Sequence, residues 1–324
     1  MKKILLIHPT IQPCGVDILS SEAEIVMAPN GEEETLISFL STGGIAAMVV
    51  RVEKITRRMI EASRNLQVIG QHGVGVDNID VKAATERGVL VVNAPTSNYV
   101  STAEHAVMMM LALARNLPQA DHAVRQGDFQ FRERFYPMEV NGKVLFVVGL
   151  GRIGSEVARK CGLAFKMTML GYDPYVSDFE MAALGVKKVD LETGLRKADF
   201  VSVHVALSGQ TKHLIGAKQF DLMKPTAFVV NASRGAVINQ DDLVRALKEA
   251  KIAGAGLDVY DPEPPPVSDP LLGLSNVILS PHFAGDTYEA KQNCSKSVAA
   301  DVLAVLAGRR PRFLINPEAV GHGI

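Results

Sequence analysis

The sequence predicts an α/β chain built as two doubly wound parallel-sheet domains, and three observations carry that prediction. Short apolar runs bounded by turn residues alternate with helix-like segments, in two successive series. The chain changes character between the series, at SNYVSTAEHAVMMMLALARNLP (97–118). A glycine triplet, G-x-G-x-x-G, follows one apolar run and opens a helix-like segment. At 324 residues, 47% of them hydrophobic, the chain is long enough to fill two cores.

The first series comprises KILLI, EIVM, AAMVV, LQVIG and VLVVN, five strands within the first hundred residues. Segments such as GEEETLISFLS and TRRMIEASRN between them read as helices. The opening MKKILLIHP is charged at its start, but its apolar run, Ile4 to Ile7, is too short for a secretory leader. It reads as the first strand. In the intervening stretch, Ser101 and Glu104 have capping-box spacing, which predicts a helix start. From Ala106 to Leu113 that helix is apolar nearly all round, which predicts burial between domains or at a subunit interface. Pro118 is the expected stop. The second series comprises KVLFVVG, KMTMLGYD, FVSVHV, AFVVNAS, AGAGLDV and NVILSPH. One long helix over 286–307 and a short return segment, GRRPRFLINP, complete the chain.

Composition excludes several classes of function. A net charge of −1 gives no basic field, which argues against nucleic acid or an anionic membrane as the main partner. No uncharged apolar run is long enough to span a bilayer. Cys14, Cys161 and Cys294 are scattered and odd in number, without CxxC spacing. That fits no disulfide framework or metal site and suits a reducing, cytoplasmic setting.

The glycine triplet is Gly149, Gly151 and Gly154 in VVGLGRIGSEVARK. Such triplets also occur in ordinary turns. Here the strand before and the helix after supply the context for phosphate binding. Gly149 permits the tight turn, Gly151 lets backbone approach a pyrophosphate, and Gly154 lets helix and strand pack closely. The helix N-terminus adds free N–H groups and a positive dipole end. The next strand ends at Asp173, 19 residues after Gly154. A carboxylate there suits the ribose hydroxyls of NAD and repels the 2′-phosphate of NADP.

Ligands of open parallel sheets bind beyond the carboxyl ends of the strands. Several of these ends are polar here: His204, the Arg234–Gly235 pair, Asp258 with Glu263 just beyond, and His282. Each alone is weak, since an isolated histidine is more often packed or solvated than catalytic. Their convergence on one edge is the signal. Glu263 lies in DVYDPEPPPVSDP, a run whose prolines fix φ and stiffen a loop. In GQHGVGVDNID, Gly73 and Gly75 allow an anion-binding nest of backbone N–H groups. A tight turn in which Asp80 caps the next helix is the equal alternative.

The motifs HGVGVDNID, VVGLGRIG with GYDP, NASRGAVI, LDVYDPEPP and SPHFAG stand in one order along most of the chain. On them the sequence resembles the D-2-hydroxyacid dehydrogenases, most closely their D-3-phosphoglycerate dehydrogenase-like branch. The resemblance implies two Rossmann-like (flavodoxin-like) domains with the active site in the cleft between them. The substrate domain would be discontinuous, residues 1–99 plus 287–324, and the NAD domain would be 100–286. It implies that Arg234 binds the substrate carboxylate and polarises the carbonyl. His282 would be the acid in ketone reduction and the base in alcohol oxidation, with Glu263 as its partner. Fixed guanidinium charge suits the developing alkoxide, and imidazole titrates near the working pH.

The resemblance also implies substrate contacts at Arg51, Val74 and Gly75. NAD contacts would fall at Gly149, Gly151, Arg152, Ile153, Gly154, Asp173, Pro174, His204, Thr211, Ala232, Ser233, Asp258, Ala284 and Gly285. A cytoplasmic homodimer acting on a small-molecule 2-hydroxyacid or 2-ketoacid follows. A second anionic group on the substrate, as in 3-phosphoglycerate, is the first expectation, with Arg51, or Arg132 and Arg134 across a dimer, as its receptor. Hydroxypyruvate or glyoxylate is the alternative, and those arginines are then surface charges. Three residues depart from the family pattern. Ala206 stands where proline is frequent, Phe283 where a smaller aliphatic residue is common, and Gln71 where an arginine is often found. The regulatory C-terminal extension of longer phosphoglycerate dehydrogenases is not expected. Formate dehydrogenase, of the same fold, pairs its histidine with glutamine, so Glu263 argues against it. An NAD-sensing corepressor keeps the same triad and is a rival of another class.

Overall fold

The computed structural model of the protein describes residues 1–7 and 11–322. It divides into two units, residues 1–98 with 286–324, and residues 99–285. Asp286 falls in the first unit, one residue from the boundary expected from the sequence.

The first unit contains one five-stranded parallel sheet. Its strands are β1 (Lys3–Ile7), β2 (Glu24–Ala28), β3 (Ile45–Val50), β4 (Val68–Gln71) and β5 (Leu90–Val92), in the order β2-β1-β3-β4-β5. β3 and β4 are buried at every position. Helices cover the sheet, and a strand covered on both faces needs a continuous apolar run rather than alternation. The C-terminal helix Tyr288–Leu306 packs on β3, β4 and β5, with Val298 and Val302 near Gly70. The return segment forms an antiparallel bridge, Leu314 to Val92. Asn316, fully buried, fixes it by accepting from Val91 N at 2.8 Å and donating to Val89 O at 2.9 Å.

The second unit contains a seven-stranded parallel sheet. Its strands are β6 (Val144–Val148), β7 (Thr168–Tyr172), β8 (Lys187–Lys188), β9 (Phe200–Val203), β10 (Phe228–Asn231), β11 (Gly254–Leu257) and β12 (Val277–Leu279). Their order is β12-β11-β10-β9-β6-β7-β8. Strand order reverses at β6, so the loops after β6 and β9 flank a switch point of the kind that holds ligands. The edge strand β8, two lysines, carries no apolar signature in the sequence.

Two helix boundaries differ from expectation. The helix Tyr99–Ala114 begins before Ser101, so Ser101 and Glu104 lie inside it instead of at its start. Glu104 instead accepts from Lys160 Nζ at 3.2 Å. Left-handed Asn116 (φ 48°) separates this helix from Leu117–Arg125, and Pro118 starts the second helix instead of stopping the first. Proline is favoured there because the first turn of a helix needs no N–H donor. The apolar faces of Tyr99–Ala114 pack on β10, β11, β12 and the helix Arg152–Phe165, all within the second unit, while Met108 stays 46% exposed.

Candidate active site

The phosphate-loop residues sit at the carboxyl end of β6. Gly149 has φ 92° and packs against the backbone of His204. A Cβ at Gly154 would lie 1.9 Å from Gly149 O, so only glycine lets the helix Arg152–Phe165 start this close to its strand. A Cβ at Gly151 would meet nothing within 4 Å, which leaves open space above the helix N-terminus. Asp173 ends β7. Its Oδ2 accepts from Leu150 N and its Oδ1 from Tyr175 N, both at 2.9 Å. Each oxygen retains a lone pair for a ribose hydroxyl.

His204, just past β9, bonds Ser202 Oγ through Nε2 at 2.8 Å, and burial pushes its pKa down to about 4. Its Nδ1 is buried and without a partner among the described residues. An orphaned polar atom beside an open glycine loop fits an occupant that brings polar groups of its own. Thr211 closes the loop after His204, donating to Ala206 O at 2.6 Å. Arg152, Ile153 and Pro174 adjoin the same loop and strand end. These residues suit a dinucleotide.

The catalytic candidates come together at the ends of β10, β11 and β12. Asn231 folds the turn after β10. Its Oδ1 accepts from Ser233 N and Oγ, and its Nδ2 donates to Arg234 O. Gly235 then passes so close to Tyr260 that a Cβ would fall 1.9 Å from Tyr260 O. This contact presses the loop of Arg234 against the loop that leads to Glu263. Asp258, 1% exposed, accepts from Ser280 Oγ, Phe283 N and Ala284 N at 2.6, 3.0 and 2.9 Å. It thereby fixes the loop that carries His282. Ala232 and Gly235 flank Arg234, and Ala284 and Gly285 follow His282 on the same edge.

Glu263 Oε1 accepts a hydrogen bond from His282 Nδ1, and Glu263 Oε2 accepts from Tyr260 N at 3.3 Å. The peptide bonds before Pro262 and Pro264 are cis. The hydrogen bond to Glu263 raises the His282 pKa above the ordinary histidine value; burial and the charge of Arg234 oppose it. Burial pushes the Glu263 carboxyl up, but the His282 bond and charge more than offset this, leaving it below its ordinary value. The side chains are 47% and 36% exposed, so the pair is open to a reactant. With Nδ1 on Glu263, the ring presents Nε2 as its proton-exchanging atom.

The first unit is different. Arg51, at the end of β3, is ion-paired with Asp286, which also lies 3.4 Å from Lys291 Nζ. Gln71 is buried, donating to Arg51 O at 2.7 Å and accepting from Asn78 Nδ2 at 3.2 Å. The expected nest is not formed. Neither Gly73 nor Gly75 enters the left-handed region, and Gly73 N donates to Gln71 O at 2.9 Å. The alternative turn is present, with Asp80 capping the helix Val81–Glu86 by accepting from Ala83 N at 2.8 Å. Val74 lies on that turn, its carbonyl accepting from Asn93 Nδ2 at 2.7 Å. Arg132 and Arg134 pair with Glu133 and Asp128 and remain largely exposed.

Sequence reasoning missed His72, His105 and Tyr260. His72 is buried, bonds Ser295 Oγ at 2.7 Å, and is pushed by burial to a pKa of about 4. His105 Nε2 lies 3.0 Å from Ser280 Oγ, and burial lowers its pKa against the opposing charge of Asp258. The partners of the two histidines are 175 or more residues away in sequence, and Tyr260 meets Ser280 20 residues on, so no local pattern marks them.

Comparison with known proteins places this geometry. The family model described as "D-isomer specific 2-hydroxyacid dehydrogenase, NAD binding domain" matches residues 107–284. A D-3-phosphoglycerate dehydrogenase of Archaeoglobus fulgidus is 44% identical over 310 residues, covering 93% of this chain and 58% of that protein. A glyoxylate reductase of Korarchaeum cryptofilum is 43% identical over 281 residues, 85% of this chain and 83% of that one. The holo structure of Rhodotorula graminis D-mandelate dehydrogenase is similar at TM-score 0.89 and 29% identity, covering 97% of each chain. The chain thus spans under two-thirds of the length of the phosphoglycerate dehydrogenase it matches.

Proposed function

The chain belongs to the D-isomer specific 2-hydroxyacid dehydrogenase family, and from that premise we propose that it moves a hydride between NAD(H) and a D-2-hydroxyacid/2-ketoacid pair. The observation that carries this reading is the Glu263–His282 hydrogen bond at the strand edge that also bears Arg234. When bound, the nicotinamide supplies or accepts the hydride. The loop 149–154 and the helix behind it hold the pyrophosphate, and Asp173 takes the ribose hydroxyls. Pro174, His204, Thr211, Ala232, Ser233, Asp258, Ala284 and Gly285 complete the cofactor contacts.

In reduction, Arg234 binds the substrate carboxylate and draws electron density toward the carbonyl oxygen. The carbon gains the hydride, the C=O π bond opens onto oxygen, and His282 Nε2 delivers the proton. Glu263 keeps the imidazole protonated and oriented for that step. In oxidation the same nitrogen takes the proton back. Val74, Gly75 and Arg51 are proposed as further substrate contacts, and the protein is proposed to act as a homodimer in the cytoplasm.

A substrate with a second anionic group, 3-phosphoglycerate foremost, is the first reading. One observation favours the second, a small acid such as glyoxylate or hydroxypyruvate. The charge of Arg51 is already matched by Asp286.

The test is NADH oxidation by His282→Ala against phosphohydroxypyruvate, hydroxypyruvate, glyoxylate, pyruvate and sulfopyruvate. Loss of proton transfer lowers turnover by about 10²- to 10⁴-fold, while NADH binding, followed by fluorescence, persists. Retained turnover removes His282 from its role. Among the substrates, a preference for phosphohydroxypyruvate over glyoxylate supports the first reading and the reverse supports the second.

A further inference from the structure

His282 sits in the left-handed backbone region, at φ 52°. A residue other than glycine is uncommon there, and its neighbours help to hold it. The residues that do so converge on Ser280, the first residue beyond β12. The Ser280 carbonyl accepts from His282 N at 3.0 Å and from the Tyr260 hydroxyl at 2.8 Å. The Ser280 hydroxyl donates to Asp258 Oδ1 at 2.6 Å, so it accepts the Nε2–H of His105 at 3.0 Å. His105 projects from the helix Tyr99–Ala114, and its ring meets Phe283 edge-on at 5.2 Å.

We propose that His105 and Tyr260 are positioning residues for His282, acting on it through the two ends of Ser280. Tyr260 is especially placed for this. Its hydroxyl holds the His282 loop, its N–H holds Glu263 Oε2, and its carbonyl abuts Gly235, next to Arg234. One buried side chain and its backbone therefore touch the loops of all three catalytic candidates. His105 acts on the other end. Without it, the Ser280 hydroxyl keeps only Asp258 and the loop loses its tie to the long helix. Neither residue reaches the reacting atoms through the contacts seen here. Both act by keeping Nδ1 of His282 on Glu263, and misplacement on the order of 1 Å is enough to slow proton transfer strongly.

The groups facing His282 are Glu263, Asp258 and Arg234, and the charged group facing His105 is Asp258. Loosening the loop weakens the Glu263 bond first, so the His282 pKa falls toward the ordinary value. The alkaline limb of the reduction profile then moves to lower pH.

The inference rests on the reading of His282 as proton donor, and the experiment separates the two. Tyr260→Phe deletes one hydroxyl and keeps the ring. His105→Ala deletes the donor, and His105→Gln restores one. In the intact chain, the His282 titration is followed by NMR, which needs no turnover, and kcat and KM are measured with NADH and glyoxylate across pH. Tyr260→Phe and His105→Ala are each expected to lower kcat about tenfold, the worth of one lost hydrogen bond. KM stays within about twofold, the His282 pKa is lowered, and His105→Gln recovers most of both. An unmoved His282 titration overturns the proposal, even if thermal stability drops. So does a rise in KM alone, which assigns these residues to substrate contact. If His282→Ala stays active while the titration moves in the two variants, the functional reading fails and the positioning role stands.

Discussion

The strand-end loops of the two units both carry buried polar groups, yet they use them in opposite ways. In the second unit, Glu263 and His282 shift each other's protonation in the field of Arg234 and stay partly exposed, while Asn231, Asp258 and Tyr260 are consumed in holding their loops. In the first unit, Arg51 is spent on Asp286, Gln71 on backbone carbonyl and Asn78, and His72 on Ser295. Perturbed and exposed groups backed by satisfied, buried ones are the arrangement expected of reaction chemistry. Polar groups paired only with one another are the arrangement expected of a scaffold. The difference favours the proposed placing of the proton chemistry in the second unit.

The largest effect that would break this contrast is at Gly235. Gly235→Ala places a methyl 1.9 Å from Tyr260 O, where backbone meets backbone and neither can yield cheaply. The expected cost is about 3 kcal/mol or more, read as a drop in denaturation midpoint. Turnover falls about 100-fold because Arg234 and Glu263 move apart. If this variant is as stable and active as the wild type, the loops are not braced as described.

Glu263→Gln comes next. The neutral amide cannot favour imidazolium, so the His282 pKa falls and the rate of ketoacid reduction declines at lower pH than in the wild type. At pH above the mutant pKa the loss is about tenfold. The linkage to stability has a definite sign. His282 is raised on folding, so its contribution is full below about 6.5, the ordinary value, and is lost as pH rises through the folded pKa. Glu263 is depressed on folding, so its contribution is lost as pH falls through its own folded pKa. The variant is therefore destabilised most between those limits and less on either side. An unmoved pH–rate profile would detach Glu263 from His282.

Much of the fold was legible in the sequence, for a physical reason. Strands buried on both faces, such as IAAMVV, must be written as continuous apolar runs, and the glycine loop must follow one. The convergence of Arg234, Glu263 and His282 was legible because strand ends of a parallel sheet share one edge, so polar residues after apolar runs are brought together by topology. Failures came where the sequence signal was local and the determinant was not. Ser101 and Glu104 have cap spacing, yet the helix starts earlier and Glu104 is taken by Lys160. Pro118 breaks a helix or begins one, and left-handed Asn116 decides which. Gly73 and Gly75 permit a nest, but permission is not a driving force, and the Gln71 carbonyl captures the Gly73 N–H. His105 and Tyr260 were illegible as partners of the His282 loop. Their contacts span 175 and 20 residues and leave no periodic trace.

The smallest expected effect sharpens the contrast most, because it concerns the one residue on which the two units could exchange roles. Arg51 follows β3 as Arg234 follows β10, and each is a guanidinium at the carboxyl end of a parallel strand. Arg51, however, is paired with Asp286, and its carbonyl is held by Gln71. The pair is partly exposed, 35% and 26%, so breaking it costs no more than about 1 kcal/mol. Arg51→Ala should leave Asp286 with Lys291 and change kcat/KM for phosphohydroxypyruvate and glyoxylate alike, by less than about threefold each. A selective loss for phosphohydroxypyruvate of about tenfold or more would show that a substrate anion displaces Asp286. Arg51 would then be a receptor held in reserve by an internal carboxylate, and Asp286→Ala should tighten KM for the phosphorylated substrate. With neither change, Arg51 belongs to the scaffold, and the selection among 2-ketoacids lies elsewhere, with Phe283, next to His282 in the chain and 47% exposed, the residue to test.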